Sequence, residues 1–427
     1  MKQYNILVFP CGTEIANEIL NSLTNHKYFN VILASSEKNS YCNFRNININ
    51  YIPYVDDFLF KSKLLNIIDK QNIDFIIPAH DDVAYQLSII PEIESMIIGQ
   101  NSFINNIVRF KDKTYEYFKD TSLIANTYQT EKDIIFPCFT KPKKGQGAKN
   151  AFLLKDIQEY KIFLQSYDKN KFIFMEYLNG DEFTIDCFSH NGEILYSGAR
   201  TREKMIRGIA VQSTYVNNDI LQKKFFKFAS IINNKLKLQG IWFFQMKLNK
   251  DNELKLLEIG PRVSGSMMLN RSRGINFVEL AIYQKLKFDV EIIYNNIEIS
   301  LARALVPIYK HNIQFDILYV DFDDTLLIDE KYINSNLIKL IFQTKNKDKK
   351  VILITKNNKN NLSKILHKFG ITNIFDDIIH INKNDNKVNY MKENSLLIDD
   401  SFLERKKAIL SGFYALGIDN LNVIIKD

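Results

Sequence analysis

Short apolar runs recur near both ends of this chain, each closed by a turn or by acidic residues. Tyr4 to Phe9, Val31 to Ala34 and Phe75 to Pro78 are such runs near the start, and Glu14 to Leu23 and Lys63 to Lys70 between them have helical spacing. A strand apolar along its whole length is buried on both faces, so strands alternating with helices predict a parallel sheet covered on both sides. The same pattern returns with Ile317 to Val320, Val351 to Ile354 and Ser395 to Ile398. The stretch between differs. Phe139 to Lys141, Phe172 to Tyr177 and Glu182 to Phe188 read as antiparallel strands. Gly240 to Leu248 and Leu254 to Ile259 read as a hairpin turned at Lys250-Asp251-Asn252, followed by a helix from Phe277 to Leu286. The expectation is a multidomain chain, α/β at both ends and α+β between.

The length of 427 residues allows two to four domains at roughly 100–200 residues each. Hydrophobic residues are 46% and charged residues 25%, which excludes a disordered, collagen-like or disulfide-scaffold chain. The net charge of +7 is mild and suits anionic ligands such as phosphates. Without a basic block or an aromatic-basic stripe it does not predict a nucleic-acid partner. Cys11, Cys42, Cys138 and Cys187 are far apart and form no CxxC, so thiols in a reducing cytosol are expected rather than a zinc site or disulfides. The N-terminal apolar run is too short for a signal peptide, and no stretch reaches the roughly 20 apolar residues of a membrane span. A cytoplasmic protein is the expectation.

The most specific signal is Val320-Asp321-Phe322-Asp323-Asp324-Thr325-Leu326 after a buried strand. Thr355-Lys356 follows a second such strand and Asp399-Asp400 a third. In open α/β sheets ligands bind beyond the carboxyl ends of strands. Clustered carboxylates there need a cation, and hard oxygen ligands suit Mg²⁺. A carboxylate nucleophile beside a second carboxylic acid suits phosphoryl transfer. The last 110 or so residues resemble the haloacid dehalogenase superfamily in its phosphatase branch, which has a doubly wound parallel sheet. The resemblance implies Asp321 as nucleophile, Asp323 as general acid/base and Thr355 as phosphoryl holder. Asp321, Asp323, Asp399 and Asp400 would serve the metal. The family's lysine is Lys387 or, alternatively, Lys383. Little sequence lies between the motifs for a cap, so an open site for a large phosphate ester is expected.

A second ordered set lies in the middle. Lys141-Pro142-Lys143-Lys144-Gly145-Gln146-Gly147 is a basic, glycine-bearing loop after a strand, and its N–H groups can line a phosphate nest. Phe174-Met175-Glu176-Tyr177 can meet adenine through its backbone, and Glu182 offers a carboxylate to ribose. Gln245 and Glu258 sit on facing hairpin strands, where they can share one Mg²⁺. Arg262 can reach a transferring phosphoryl group. Trp242, Phe243 and Phe244 read as core. Gly198 to Gly208 reads as a basic loop or lid, with Arg200, Arg202 and Arg207 offered to an anionic substrate and Ser264-Gly265-Ser266 at its border. Pro10-Cys11-Gly12-Thr13-Glu14 is a strand-to-helix turn without GxGxxG, so no dinucleotide is predicted.

This set, with Phe75 to Pro78, Asp81-Asp82 and Lys111-Asp112-Lys113, resembles the ATP-grasp superfamily in its carbamoyl-phosphate-synthase-like members, over residues 1 to 300. The resemblance implies an ATP-grasp fold: a pre-ATP-grasp Rossmann-like domain over 1–105, and two α+β subdomains over 106–312. A haloacid-dehalogenase-like domain over 313–427 completes the chain. It also implies ATP on Lys113, Lys141, Glu176 and Glu182, and Mg²⁺, or alternatively Mn²⁺, on Gln245 and Glu258. One departure is plain: the family's last metal motif is commonly E-[IV]-N-P-R, and here Gly260 replaces the Asn. The implied activity is an ATP-dependent ligase joining a carboxylate to an amine, one of them phosphorylated, with a phosphatase acting on substrate or product. Cell-surface polysaccharide or nucleotide-sugar biosynthesis is the setting that similar fusions suggest. A small-molecule kinase with a non-catalytic C-terminal module is the alternative. Related folds often dimerise, which makes a homodimer the expected assembly.

Overall fold

The computed structural model describes residues 2–45, 48–357 and 359–426. The chain divides into two compact units, Met1–Asn43 with Ile47–Leu305, and Val306–Asp427 with Phe44–Asn46. No helix among the described residues is long and apolar enough to cross a membrane.

The first unit opens with a four-stranded parallel sheet in the order Ile49–Tyr51, Phe29–Ser35, Tyr4–Phe9, Phe75–Pro78. The apolar runs form its strands because both faces are covered. Ile6 and Val8 pack toward Ile15 and Ile19 of the Glu14–Leu23 helix, while Leu7 and Phe9 pack toward Phe60 and Leu64 of the Phe60–Gln71 helix. Thr13 starts the first of these helices by accepting the Ala16 N–H at 3.1 Å, a side-chain cap for an otherwise orphan donor. Its own hydroxyl donates to the Ala79 carbonyl at 3.1 Å, tying the turn to the end of the next strand.

Two antiparallel sheets follow. One has the order Thr127–Tyr128, Phe172–Glu176, Cys138–Pro142, Phe152–Leu154. The other has the order Glu193–Thr201, Glu182–His190, Gly240–Leu248, Leu254–Gly260. The predicted hairpin is present, with Gln245 opposite Glu258. Trp242 and Phe244 are fully buried under the Asp219–Leu236 helix. The segment 198–208 is not a loop. Arg200 lies within the Glu193–Thr201 strand, and Lys204–Ile206 pairs with Ile209–Thr214 as a hairpin. Ser300–Ala302 adds a third strand to that hairpin.

The second unit is a five-stranded parallel sheet in the order Asp377–His380, Lys350–Thr355, Ile317–Val320, Ser395–Ile398, Tyr414–Leu416. Leu318, Val320, Leu353 and Leu396 face one core, and Tyr319, Ile352, Ile354 and Leu397 face the other. The sheet is thus doubly wound. Connections leave the Ile317–Val320 strand toward one side and later return on its other side. Such a switch point opens a crevice at the carboxyl ends of the strands.

Candidate active sites

In the second unit, Val320 is level with Leu353 on one side and with Ile398 on the other. The next residues, Asp321 and Asp399, therefore leave adjacent strand ends together. Lys387 lies between them: its Nζ bonds to Asp321 Oδ1 and sits 2.6 Å from Asp399 Oδ2. All three side chains are nearly or fully buried. Burial pushes both carboxyls up, against the pull of Lys387. Burial also works against the charge of Lys387, but the two carboxylates outweigh it and raise its pKa. Thr325 Oγ1 lies 3.1 Å from both Asp321 Oδ2 and Asp400 Oδ1, and it accepts the Asp400 N–H at 2.9 Å. Asp321, Asp399 and Asp400 each offer an oxygen within 4.8 Å of the others, the one such group found among the described residues. Three hard carboxylate oxygens at that spacing fit Mg²⁺.

Thr355 is fully buried and accepts the Asn357 N–H at 2.9 Å, and the Asn357 amide holds Asp323 Oδ1 at 2.7 Å. Asp323 and Lys383 are exposed, and of the two lysines it is Lys387 that bonds to Asp321. Lys356, beside Thr355, is taken by Glu404 at 2.9 Å. Asn357 was not anticipated; its position two residues past the strand-end Thr was the available signal.

In the first unit, a cleft of about 300 Å³ is lined from both antiparallel sheets, by Lys141, Glu176, Glu182, Gln245 and Glu258 among others. Lys141 is buried; its Nζ contacts Tyr115 Oη at 3.3 Å and the Leu257 carbonyl at 3.2 Å. Burial drops its ammonium to about 8, while Glu258 and Glu182 pull the other way. Glu258 and Gln245 face each other by register, and neither side chain has a hydrogen-bond or ion-pair partner among the described residues. An unpartnered carboxylate and amide beside a lysine fit a hydrated Mg²⁺. Over the cleft the loop after Lys141 meets the 204–214 hairpin backbone to backbone. A Cβ on Gly208 would lie 2.5 Å from the Gly147 carbonyl carbon, and both glycines have positive φ. No larger residue allows that approach.

Several residues stand elsewhere than the resemblance implies. Lys113 does not line the cleft; it holds Asn106 Oδ1 at 2.7 Å and lies over Phe110. Lys111 lines it instead, with Nζ 3.0 Å from the Gly145 carbonyl. Residues two apart on the Lys111–Tyr117 helix point in nearly opposite directions. Arg200 is buried, forked on Asp186 at 2.9 and 3.3 Å, and it donates to Ser264 Oγ at 2.9 Å. A buried charge needs such partners, and Arg200 is held in the core by them, although its Nη1 has no hydrogen-bond partner among the described residues. Arg207 is exposed and outside the cleft lining. Arg202 does line it, but pairs with Glu182 at 2.6 Å, and Lys247 approaches the same carboxylate at 3.9 Å. Glu176 Oε1 accepts the Asn126 N–H at 2.9 Å. Arg262 is clamped on Asp81 by two bonds of 2.6 and 2.7 Å and gives a third to the Val263 carbonyl. It is held, not free to swing.

A cleft between two antiparallel sheets, in a unit that opens with a parallel sheet, is the architecture of an ATP-grasp fold. Comparison with known proteins agrees. Residues 168–302 match the family model described as ATP-grasp in the biosynthetic pathway with Ter operon. Among solved structures the chain is similar to L-amino acid ligase from Bacillus licheniformis: 16% identity, 67% of this chain and 75% of that one covered, TM-score 0.54. It is similar to N5-carboxyaminoimidazole synthetase from Staphylococcus aureus complexed with ADP: 14% identity, 69% and 80% covered, TM-score 0.56. Biotin carboxylase from Campylobacter jejuni, in a β,γ-ATP complex, matches at 13% identity, with 67% and 72% covered and TM-score 0.54. No curated protein matches the chain.

Proposed function

We propose that the first unit is an ATP-dependent carboxylate–amine ligase and that the second is a Mg²⁺-dependent phosphomonoesterase of the haloacid dehalogenase type. The observation that carries the first reading is the convergence of Lys111, Lys141, Gln245 and Glu258 on one cleft, in a fold shared with a ligase and with nucleotide-bound structures. Lys141 and Lys111 would hold the phosphates of ATP as fixed charges. The carboxylate substrate attacks the γ-phosphorus, releasing ADP and forming an acyl-phosphate. An amine then attacks the carbonyl carbon, phosphate leaves, and the amine loses a proton as the amide forms. Gln245 and Glu258 would hold Mg²⁺, which would neutralise phosphate charge.

In the second unit, Asp321 would attack the phosphorus of a monoester while Asp323, held by Asn357, protonates the departing oxygen; water, giving its proton to Asp323, would then cleave the resulting phosphoaspartate, releasing phosphate and restoring Asp321. Lys387 fixes the nucleophile, and Asp321, Asp399 and Asp400 would hold the cation. The strand order and the Asp–Lys–Asp cluster support this reading. Only the Leu327–Ile328 and Tyr332–Ile333 hairpin and the Ser335–Lys345 helix separate Val320 from the Lys350 strand among the described residues, which suits an open site. For the pathway we take the Ter-operon setting of the matching family model in place of polysaccharide assembly.

The test is an ADP and phosphate assay with Mg²⁺-ATP and a matrix of acids and amines. Wild type runs beside Glu258→Ala and Asp321→Asn. ADP that needs both an acid and an amine, and disappears in Glu258→Ala, supports the ligase. ADP formed with one hydroxyl acceptor alone replaces it with a kinase. Phosphate release from monoesters that survives Asp321→Asn removes the phosphatase assignment.

A further inference from the structure

Three carboxylates line the nucleotide cleft: Glu176, Glu182 and Glu258. Two are engaged, Glu182 by Arg202 and Lys247, and Glu176 by the Asn126 N–H. Behind the cleft, Asp81 is clamped by Arg262, and Asp82 is shared by Arg109 and Lys144 at 2.9 and 3.0 Å. Among the described residues lining the cleft, Glu258 alone is left for a metal, with the neutral amide of Gln245 opposite. Mg²⁺ is satisfied by one or two protein carboxylates with waters and substrate phosphate. The inventory therefore suits one divalent cation.

The next position on the same face of the strand, where the resemblance places a further metal ligand, is two residues beyond Glu258. That residue is Gly260, and no side chain fits there. An added Cβ would lie 2.1 Å from Phe243 Cε1 and 2.2 Å from Cζ. Phe243 cannot give way easily: it is 3% exposed, is the register partner of Gly260, and has the Arg262 guanidinium 5.4 Å from its ring centre. A void of about 20 Å³ beside it is bounded by Glu258, Gly260, Arg262, Asp81 and Lys111. Among the described residues Lys111 is the one of these cations without a carboxylate clamp, and its Nζ bonds to the Gly145 carbonyl at 3.0 Å. The position that a second metal would serve is thus closed by an aromatic ring and bordered by a lysine.

We infer that the cleft takes a single divalent cation with its nucleotide, and that Lys111 supplies the second positive charge beside Glu258. This rests on the ATP-cleft reading above. The experiment is equilibrium dialysis of the full chain with radiolabelled Mn²⁺ and a non-hydrolysable ATP analogue, counting Mn²⁺ gained per nucleotide bound. The nucleotide-free control subtracts Mn²⁺ held by the C-terminal carboxylates. One Mn²⁺ per nucleotide is expected. Lys111→Met should lower nucleotide affinity about tenfold, the worth of one hydrogen bond to a charged group. Lys111→Arg should recover most of it, and Lys113→Met should change nothing. Two Mn²⁺ per nucleotide overturns the inference while leaving the ATP cleft intact. Unchanged affinity in Lys111→Met overturns the role of the lysine. Absence of nucleotide binding in the wild type strikes the ATP reading itself.

Discussion

Replacing Lys387 with Met removes the cation that pairs with both Asp321 and Asp399, two carboxylates that are 6% and 0% exposed. Breaking a buried pair by deleting one partner costs about 3–5 kcal/mol, because the remaining charges are left without solvent. Either carboxyl can escape by taking a proton, so the low end, about 3 kcal/mol, is the expectation. The folded-state pKa of Lys387 is raised. Its contribution is therefore complete below its ordinary value of 10.5 and is lost only as pH rises through the higher folded value. A measurement at pH 7.5 sees all of it. The chain has a single Trp, Trp242, fully buried in the first unit. Urea unfolding followed by far-UV circular dichroism should show an early transition, displaced by about 1–3 M. Trp242 fluorescence should keep its wild-type midpoint. Adding Asp399→Asn to Lys387→Met should recover part of the loss, since one orphan charge goes with it. A total loss below about 1 kcal/mol, the worth of an exposed pair, would refute the reasoning. So would a Trp242 midpoint that moves as far as the dichroism.

Gly260→Ala drives a methyl into the Phe243 ring and should destabilise the first unit by about 1–3 kcal/mol. Phe243→Leu in the same chain should relieve it, read by the Trp242 thermal midpoint; equal midpoints for wild type and Gly260→Ala count against the packing described. Nucleotide affinity without metal should fall as pH rises through about 8, where Lys141 loses its proton. Between pH 7 and 9 the loss is about tenfold if only the charged form binds, and Lys141→Arg should flatten the profile; calorimetry at three pH values checks it. Arg200→Met leaves Asp186 buried without its cation and should cost about 3–5 kcal/mol of stability. An Arg200→Met chain that is fully stable but fails to bind an anionic substrate would restore Arg200 as a substrate arm.

The architecture was legible because apolar runs with a two-residue or a helical period report burial directly. The hairpin was legible too from its turn at 250–252, but that turn alone would set Gln245 opposite Leu257; a register shift between Gln245 and Met246 brings it opposite Glu258. Finer placement depended on where an element starts or what lies across the fold. The helix beginning at Lys111 decides that Lys111, and not Lys113, faces the cleft, and a two-residue spacing does not disclose that phase. Arg200 reads as part of a basic loop because four cations crowd 200–207, and its partner Asp186 is visible only once the two strands pair. Gly260 reads as a missing ligand, whereas the ring that fills its place comes from the opposite strand. In the second unit the strand-end acids were plain. Their adjacency follows from the strand order, which places Ser395–Ile398 beside Ile317–Val320.

The central claim is that ATP binds in the cleft floored by Lys141 and Lys111. The direct test is labelling of the full chain with an adenosine affinity reagent carrying a lysine-reactive sulfonyl fluoride at the ribose 5′ position, followed by peptide mapping. Lys141, whose ammonium is dropped to about 8, and Lys111 both line that cleft. The account predicts label on the peptide holding one of them, blocked by excess ATP. Label scattered over exposed lysines, with no protection by ATP, would contradict it.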